Sequence, residues 1–388
     1  MTASYYIANA RMPTEYAHGS QIAKMCESFA SKGAETVLIA PRRFNPIKED
    51  VFGYYGLKRN FKITKLPTFD LVKFGRFGFW IQALTFAFSV RFLAKIPEKA
   101  VIYSRDHVSF FLLRNIPNRM FLEIHDEVRP NFIWRGALAR ANGLIFTNRF
   151  KKDKTIEDFG ISPEKTLVWP NAVDIELFNL DISQEEARNK LHLPEKNFLA
   201  CYIGKFRTMG QEKGVREIIK AAGLLKEESI NMVLVGGENE EIKESKKLAE
   251  AAAASDRCIF VPAVPWKLVP FYLKAADVLL MPFPNTRHYA LAMSPRKMFE
   301  YMASLRPIIA SDLPAVREVL DNDSAVFLSE PSAEKIAEAV MFLKGNEAAG
   351  RAKAEKAFEK AKRMTWAERA GDILSFINSP VRGRGHAR

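Results

Sequence analysis

The chain has 388 residues, of which 48% are hydrophobic. This length predicts two domains of ordinary size, and this composition excludes an intrinsically disordered chain. The formal net charge of +13 indicates an anionic partner, which charge alone leaves open among a membrane surface, a nucleic acid and a phosphorylated substrate. The first ten residues lack a basic region followed by a long apolar run, so we expect no signal peptide and a cytoplasmic protein.

Short apolar runs alternate with amphipathic windows along the whole chain. Such runs are typical of buried parallel strands, so each half is predicted to form a doubly wound α/β sheet. The predicted strands span 5–8, 36–40, 101–105, 120–125, 143–148 and 166–169, then 198–204, 231–236, 258–262, 278–282, 307–311 and 325–328.

Pro, Asn and Asp cluster over 170–193, which places the joint between the two domains there. We assign residues 1–172 to a first domain and 173–364 to a second. A final amphipathic helix over 365–380 is predicted to pack back on the first domain, and the basic segment 381–388 is predicted to be a disordered tail.

The loop after the first strand faces the edge at which open parallel sheets bind ligands. Gly19 lies at the start of a predicted helix over 21–32, where a glycine would let a phosphate or a sugar approach the backbone. An ordinary loop glycine is the alternative. The sequence contains neither a G-x-G-x-x-G dinucleotide motif nor a Walker A loop, which argues against redox and P-loop chemistry.

Residues 71–97 form the most apolar stretch, and its uncharged part is shorter than the roughly 20 residues that a membrane span needs. One interpretation is a helix packed on the sheet. The other is an interfacial helix whose Lys73, Arg76 and Arg91 meet anionic lipid while Phe and Trp enter the headgroup layer.

Two further strand ends carry polar residues. His125 closes the strand 120–125 beside carboxylates, where a histidine is either structural or functional. After the strand 198–204, Lys205, Arg207 and Lys213 lie in a glycine-containing turn, which predicts an anion cradle or, alternatively, a solvated basic loop. The exposed backbone after the strand 258–262 is a weak candidate for reading a base edge.

A helix is predicted from Ser294, with Ser294 as the N-cap and a proline at the first helical position. Arg296 and Lys297 follow, although cations oppose the dipole at a helix N-terminus, so this pair suggests a bound anion such as a phosphate. Glu300 lies on the same face and could accept bonds from sugar hydroxyls. The alternative is a surface helix with an ordinary ion pair.

Taken together, these segments resemble the retaining glycosyltransferases of family four, which have the GT-B fold. The resemblance covers nearly the whole chain, and its motifs occur in the family's order. They include HGSQIAKMCESFASKGAETVLIAP, LEIHDE, PNAVDIELF, YIGKF, EKGVREIIKAAGLL and SPRKMFEYMASLRPIIASDLPAVREVL.

The resemblance implies two doubly wound domains facing a cleft and a UDP or GDP sugar as the donor. The residues with implied catalytic roles are His125 near the transferred sugar, Lys205 where an arginine is common, Lys213 on the diphosphate and Glu300 on the ribose. The implied donor-binding residues are Gly19, Arg207, Val264 at the base, Met293, Ser294 and Lys297.

The implied reaction is transfer of a sugar to an acceptor hydroxyl with retained configuration, in glycan, polysaccharide or glycolipid synthesis. We expect no metal or other cofactor, because cations and a helix terminus could stabilise the leaving diphosphate. Ala292 departs from the family, which has a glutamate eight positions before Glu300, and this leaves the donor sugar open.

Two alternatives to a transferase remain. One is a nucleotide-sugar-binding protein without activity, and the other is an epimerase or phosphorylase on the same fold. The expected partners are the donor, a glycan or lipid-linked acceptor and an anionic membrane surface. Nucleic acid is not expected, because the cations are not interleaved with aromatic stacking residues.

Overall fold

The computed structural model describes residues 3–208, 210–225 and 229–379, so the predicted tail over 381–388 lies outside the described residues. The chain divides into two compact units. Unit 1 comprises Met1–Pro170 with Trp366–Arg388, and unit 2 comprises Asn171–Thr365. These divisions lie within two residues of the predicted boundaries at 172 and 364.

Parallel strands form the main sheet of each unit. In chain order the strands are β1 (Ser4–Ile7), β2 (Thr36–Pro41), β3 (Lys62–Leu66), β4 (Val101–Ser104), β5 (Arg119–Ile124), β6 (Gly143–Phe146), β7 (Thr166–Val168), β8 (Phe198–Ile203), β9 (Arg207–Thr208), β10 (Gln211–Glu212), β11 (Ile230–Gly237), β12 (Cys258–Pro262), β13 (Val278–Met281), β14 (Ile308–Ser311) and β15 (Val326–Leu328).

The helices alternate with these strands. They are α1 (Ala17–Ser31), α2 (Val51–Tyr55), α3 (Gly75–Leu93), α4 (His107–Leu112), α5 (Phe132–Arg140), α6 (Arg149–Phe159), α7 (Ile175–Phe178), α8 (Gln184–Leu191), α9 (Val215–Leu224), α10 (Asn239–Ala251), α11 (Val269–Ala275), α12 (Arg296–Ala303), α13 (Pro314–Arg317), α14 (Ala333–Gly345), α15 (Glu347–Lys362) and α16 (Trp366–Asn378). Short 3-10 helices cover Val72–Phe74, Pro163–Lys165 and Trp266–Leu268, and a π-helix covers His288–Ala292.

The sheet of unit 1 has the order β3-β2-β1-β4-β5-β6-β7, and that of unit 2 has the order β12-β11-β8-β13-β14-β15. All neighbouring strands in both sheets are parallel. The strand order reverses between β1 and β4 in unit 1 and between β8 and β13 in unit 2. Ligands of such sheets bind at these reversals, beyond the carboxyl ends of the strands.

The prediction of two doubly wound parallel sheets is confirmed. Strands such as β2 and β4 are buried along their full length, which explains why they appear as unbroken apolar runs. The sequence analysis missed β3, which lies at the sheet edge and exposes Lys62 and Lys65. It also missed the two-residue strands β9 and β10, which pair as an antiparallel hairpin.

A buried ion pair joins α16 to the sheet of unit 1. Arg369 and Glu123 both have fully buried side chains, and Arg369 Nη2 donates to Glu123 Oε1 at 2.8 Å. Arg369 Nε also donates to the carbonyl oxygen of Pro170 at 3.0 Å. Burial alone would raise the pKa of Glu123, but Arg369 and His125 hold this pKa well below its usual value. The carboxylate therefore remains ionised, and the last described helix is part of the core of unit 1.

We predict that Arg369→Met destabilises unit 1 by about 3–5 kcal/mol, because removing one partner leaves a buried charge without compensation. The control Arg59→Met breaks the exposed pair of Arg59 with Asp50 and should cost less than about 1 kcal/mol. Four of the five tryptophans lie in unit 1, so tryptophan fluorescence during urea unfolding in a Trp266→Phe background reports this unit alone. Equal losses in the two variants would contradict the prediction.

Candidate functional site

The candidate site of unit 2 lies where the strand order reverses, beyond the ends of β8 and β13. Gly214 joins the loops that follow these two strands. Its φ is +87°, and a Cβ on it would lie 2.0 Å from the carbonyl oxygen of Pro282. Glu212 then caps α9, because its carboxylate accepts bonds from the backbone N–H groups of Gly214 at 2.7 Å and of Arg216 at 3.1 Å. The two loops are therefore held in close contact.

Helix α12 is fixed to the end of β8 by one buried hydroxyl. Tyr301 Oη accepts from the N–H of Ile203 at 2.9 Å and lies 3.2 Å from the carbonyl oxygen of the same residue. Burial raises the pKa of the Tyr301 hydroxyl, so it remains protonated. Helix α12 is therefore held beside the carboxyl edge of the sheet.

The predicted helix start is wrong by one residue. Helix α12 begins at Arg296, with Pro295 in the N-cap position and no side-chain cap. Ser294 instead bonds to the segment that opens unit 2: the N–H of Asn171 donates to Ser294 Oγ at 3.1 Å, and Asn171 Nδ2 donates to the Ser294 carbonyl oxygen at 2.6 Å. This long-range pairing outcompetes the local cap, and it assigns Asn171 a positioning role that the sequence analysis missed.

Lys297 carries a buried ammonium group. Its Nζ lies 3.5 Å from the ring centroid of Tyr202 and 5.4 Å from that of Phe283. Within the described residues, this nitrogen has no hydrogen-bond partner. Burial, together with the nearby Lys213 cation, lowers the pKa of Lys297 well below its usual value, against the attraction of Glu300 and Glu212. A buried polar group without a partner is costly, so this nitrogen is suited to receive an anionic ligand.

Three predicted site lysines influence one another. Burial and the cation of Lys205 lower the pKa of Lys213 to about 8, and Lys213 in turn lowers the pKa of Lys297. Burial raises the pKa of Glu300, while Arg296 and Lys297 oppose that rise. The structure therefore brings Lys205, Lys213, Lys297 and Glu300 into one electrostatic cluster. The ordinary ion pair considered as an alternative also exists, because Arg296 Nη2 lies 3.5 Å from Glu300 Oε1.

The loop after β13 contributes a residue that the sequence analysis missed. Tyr289 lies in the π-helix, stacks on Phe283 with 5.1 Å between ring centroids, and has a buried hydroxyl with no partner among the described residues. Burial and then Glu212 raise its pKa to about 12. Ala292 ends the same π-helix and is buried, and the buried Met293 follows it. The sequence contains no periodic pattern that predicts this π-helix.

Two other predicted donor residues have different surroundings. Arg207 lies in the β9–β10 hairpin, where Arg207 Nη2 pairs with Glu244 Oε2 of α10 at 2.7 Å and both side chains are exposed. Val264 lies in the loop after β12 and packs partly buried against the core. The geometry of the lysine cluster therefore does not involve either side chain, and their donor-binding roles stay predictions.

In unit 1, His125 belongs to a buried polar network at the end of β5. Its Nε2 lies 2.5 Å from Glu123 Oε1. Because Glu123 is ionised and can only accept, Nε2 must carry the proton, which leaves Nδ1 as an acceptor. Burial and then Arg105 lower the pKa of His125 to about 4, although Glu123 opposes this shift. The imidazole is therefore neutral near pH 7.

The same carboxylate organises other residues of this network. Gln21 Nε2 and the Tyr103 hydroxyl also donate to Glu123, at 2.8 and 2.5 Å, and Arg105 Nη1 donates to Gln21 Oε1 at 2.7 Å. The sequence analysis placed His125 beside carboxylates, of which Glu123 is the one that bonds to it, but it missed Arg369 as the partner of Glu123. A lone acid inside an apolar strand and a lone arginine on the apolar face of the last helix were the available signals.

Gly19 lies in the first turn of α1 and is buried, and its small size has a packing reason. A Cβ there would lie 2.2 Å from Tyr55 Oη and 2.4 Å from Thr14 Cγ2. Its predicted place under the diphosphate stays a prediction. An open pocket of about 710 Å³ lies nearby in unit 1, and charged residues on its wall include Arg11, Glu15, Arg43, Asp70 and Lys73.

Residues 183–364 match the model of the family described as Glycosyl transferases group 1. The chain is 25% identical over 206 residues to D-inositol 3-phosphate glycosyltransferase from Thermomonospora curvata, a match that covers 49% of this chain and 46% of the relative. The matches to the curated relatives first in rank span about half the length of those proteins.

Two solved structures share the fold. Sucrose-phosphate synthase (tll1590) from Thermosynechococcus elongatus superposes with a TM-score of 0.76 at 15% identity and covers 97% of this chain and 98% of its own. Anabaena Alr3699/HepE in complex with UDP-glucose superposes with a TM-score of 0.67 at 14% identity. This match covers 97% of the present chain and 100% of the Anabaena chain. The GT-B fold predicted above is confirmed.

The neutral state of His125 predicts a pH dependence of stability. The unfolded chain takes up a proton at this residue near its ordinary pKa of 6.5, whereas the folded chain takes up this proton only near pH 4. Unit 1 should therefore lose about 2 kcal/mol of stability through this group between about pH 7 and 5, with the loss increasing as the pH falls.

Urea unfolding followed by tryptophan fluorescence at several pH values measures this slope. In His125→Asn the slope should be shallower than in the parent chain. The control His192→Asn changes the exposed C-cap residue of α8 and should leave the slope unchanged. An unaltered slope in His125→Asn would show that this imidazole is not held neutral.

Proposed function

We propose that the protein transfers a sugar from a nucleoside diphosphate donor to an acceptor hydroxyl, in the synthesis of a glycan, polysaccharide or glycolipid. The observation that carries this proposal is the buried Nζ of Lys297, which has no partner among the described residues and lies in the first turn of α12. A diphosphate would supply both the missing acceptors and the negative charge that a helix N-terminus favours.

The donor would bind with its phosphates at Lys297 and Lys213 and its ribose at Glu300. The raised pKa of Glu300 indicates a poorly solvated carboxyl group, in which hydrogen bonds from ribose hydroxyls would be strong. The match of residues 183–364 to the family model and the likeness to a protein solved with UDP-glucose support a nucleotide sugar as the donor.

In the proposed reaction, the bond between the anomeric carbon and the diphosphate oxygen breaks, and its electron pair stays on the diphosphate. The acceptor oxygen bonds to the anomeric carbon on the same face, and the acceptor's proton passes to a diphosphate oxygen. Lys205, Lys213 and Lys297 would stabilise the charge on the leaving group. We therefore propose a retaining transfer that needs no added metal, and His125 keeps its predicted role near the transferred sugar.

Glu300→Gln tests the donor assignment. We expect this variant to weaken binding of UDP or GDP, whichever stabilises the parent chain, by roughly tenfold, because a neutral amide accepts a weaker bond from ribose than a carboxylate does. The control Glu355→Gln changes an exposed carboxylate of α15. Calorimetric titration measures both affinities, and equal affinities in the two variants would remove Glu300 from the site.

Product analysis with the bound donor and a panel of acceptors tests the reaction, with and without a chelator. We expect free nucleotide and a glycoside of retained configuration. Both should form in equal amounts with and without the chelator. An inverted product would overturn the retaining mechanism. Loss of activity with the chelator would overturn the proposal that no added metal is needed. Donor binding without turnover would favour the binding protein that Ala292 permits, and an isomerised or phosphorolysed sugar would indicate an epimerase or a phosphorylase.

Lys297→Met separates stability from binding. The thioether retains the apolar stem, so the ligand-free protein should be more stable by about 1 kcal/mol, because a buried amine without a partner is removed. The same change should weaken nucleoside diphosphate binding roughly tenfold to a hundredfold, since a charge-assisted hydrogen bond is lost. Thermal melting with and without nucleotide measures both effects.

The matched control for this experiment is Lys243→Met, which changes an exposed lysine of α10. It should alter neither the melting temperature of the ligand-free protein nor the shift that nucleotide produces. If Lys297→Met is less stable than the parent and binds nucleotide equally well, Lys297 is a structural residue and the proposal loses its main support.

A further inference from the structure

Helix α3 presents its apolar side chains to solvent. Phe77, Leu84, Phe88 and Phe92 recur at spacings of seven, four and four residues, which places them on one face of the helix. Their exposed fractions are 76, 52, 63 and 63%. Large aromatic residues seldom remain so exposed together on a protein surface.

The opposite face of α3 is buried, although it carries polar residues. Gln82 and Ser89 are 1 and 6% exposed. Gln82 Nε2 donates to Asn9 Oδ1 at 2.7 Å, and Ser89 Oγ donates to the carbonyl oxygen of Pro67 at 2.7 Å. These bonds fix the rotation of the helix, so the outward direction of the phenylalanines is set by the fold of unit 1. Packing within unit 1 thus explains the buried face of α3 but not the exposed apolar face.

Cations flank the exposed face, and acids are missing from it. Residues 71–97 contain no Asp or Glu, but they include Lys73, Arg76, Arg91 and Lys95, all exposed. Lys73 and Arg91 lie beside exposed rings, with Lys73 Nζ 5.1 Å from the Phe74 centroid and Arg91 Cζ 5.8 Å from the Phe92 centroid. An apolar strip bordered by cations complements a surface that is anionic outside and apolar beneath.

We propose that the exposed face of α3 binds an anionic membrane surface, with the helix axis parallel to the bilayer and the phenylalanines inserted among the lipid headgroups. In the described part of the chain, no helix combines the length and the apolarity needed to cross a bilayer. A second copy of this chain is a poor occupant of the face, because it would bring the same four cations and a formal charge of +13. This inference does not depend on the donor chemistry.

The membrane-binding face also adjoins the pocket of unit 1. Val72 and Lys73, immediately before α3, line that pocket together with Arg43 and Asp70. Binding of α3 to lipid therefore brings the rim of this pocket to the headgroup layer. A lipid-linked acceptor would reach the pocket from that layer.

Vesicle flotation of the full chain tests the proposal. The protein should float with vesicles of phosphatidylcholine and phosphatidylglycerol mixed two to one, and it should remain at the bottom with phosphatidylcholine alone. Binding should weaken in high salt, because each cation near an anionic bilayer strengthens association roughly fivefold and this term is screened. No flotation with the anionic vesicles would overturn the proposal.

Paired variants assign the binding to α3. Phe77→Ser with Phe88→Ser, and separately Arg76→Glu with Arg91→Glu, should each reduce the bound fraction at least roughly tenfold. The matched controls in unit 2 are Leu224→Ser with Phe342→Ser, and Lys246→Glu with Lys247→Glu, all at exposed positions. These controls should float like the parent chain.

Two readouts distinguish this proposal from its rivals. All variants should retain the thermal shift with UDP or GDP that the parent chain shows, which separates membrane binding from the proposed donor site. Sedimentation should show a monomer in the parent chain. A dimer that dissociates when Phe77 and Phe88 are replaced would instead identify the face as a contact between copies and would overturn the membrane proposal.

Discussion

A lysine nitrogen buried among aromatic rings, without an acceptor in the described part of the chain, costs free energy in any ligand-free protein. Lys297 persists in this state because its surroundings are rigid. The ring of Tyr202 covers its nitrogen, and Tyr301 ties the helix that carries it to β8. A diphosphate is the kind of ligand that would remove this cost.

The loops around Lys297 are held by contacts that no pattern in the sequence predicts. Gly214 lets the two loops touch, and Asn171 fixes the segment before α12. In unit 1, the buried ion pair of Glu123 and Arg369 holds His125 in one neutral form. In both units the groups proposed to meet ligand are positioned by buried polar partners, in the way that preorganised sites require.

Most of the fold could be predicted from the sequence, because strands buried on both faces leave long apolar runs. Strand β3 could not, since an edge strand exposes its lysines, and the π-helix at Tyr289 has no periodic signature. The cluster of Lys213, Lys297 and Glu300 followed from motif order. The N-cap at Ser294 was wrong, because local propensity cannot anticipate a bond to Asn171 from 123 residues away in the chain.

Proton uptake on nucleotide binding is the most direct measurement of the role of Lys297. Burial lowers the pKa of Lys297 well below its usual value in the ligand-free protein, and a bound diphosphate would raise that pKa, so binding should take up protons at a pH between the two values. Calorimetric titration with UDP or GDP in buffers of different ionisation enthalpy counts these protons. We predict a larger uptake for the parent chain than for Lys297→Met. Equal uptake in both, or binding without any uptake, would contradict a diphosphate at the buried ammonium.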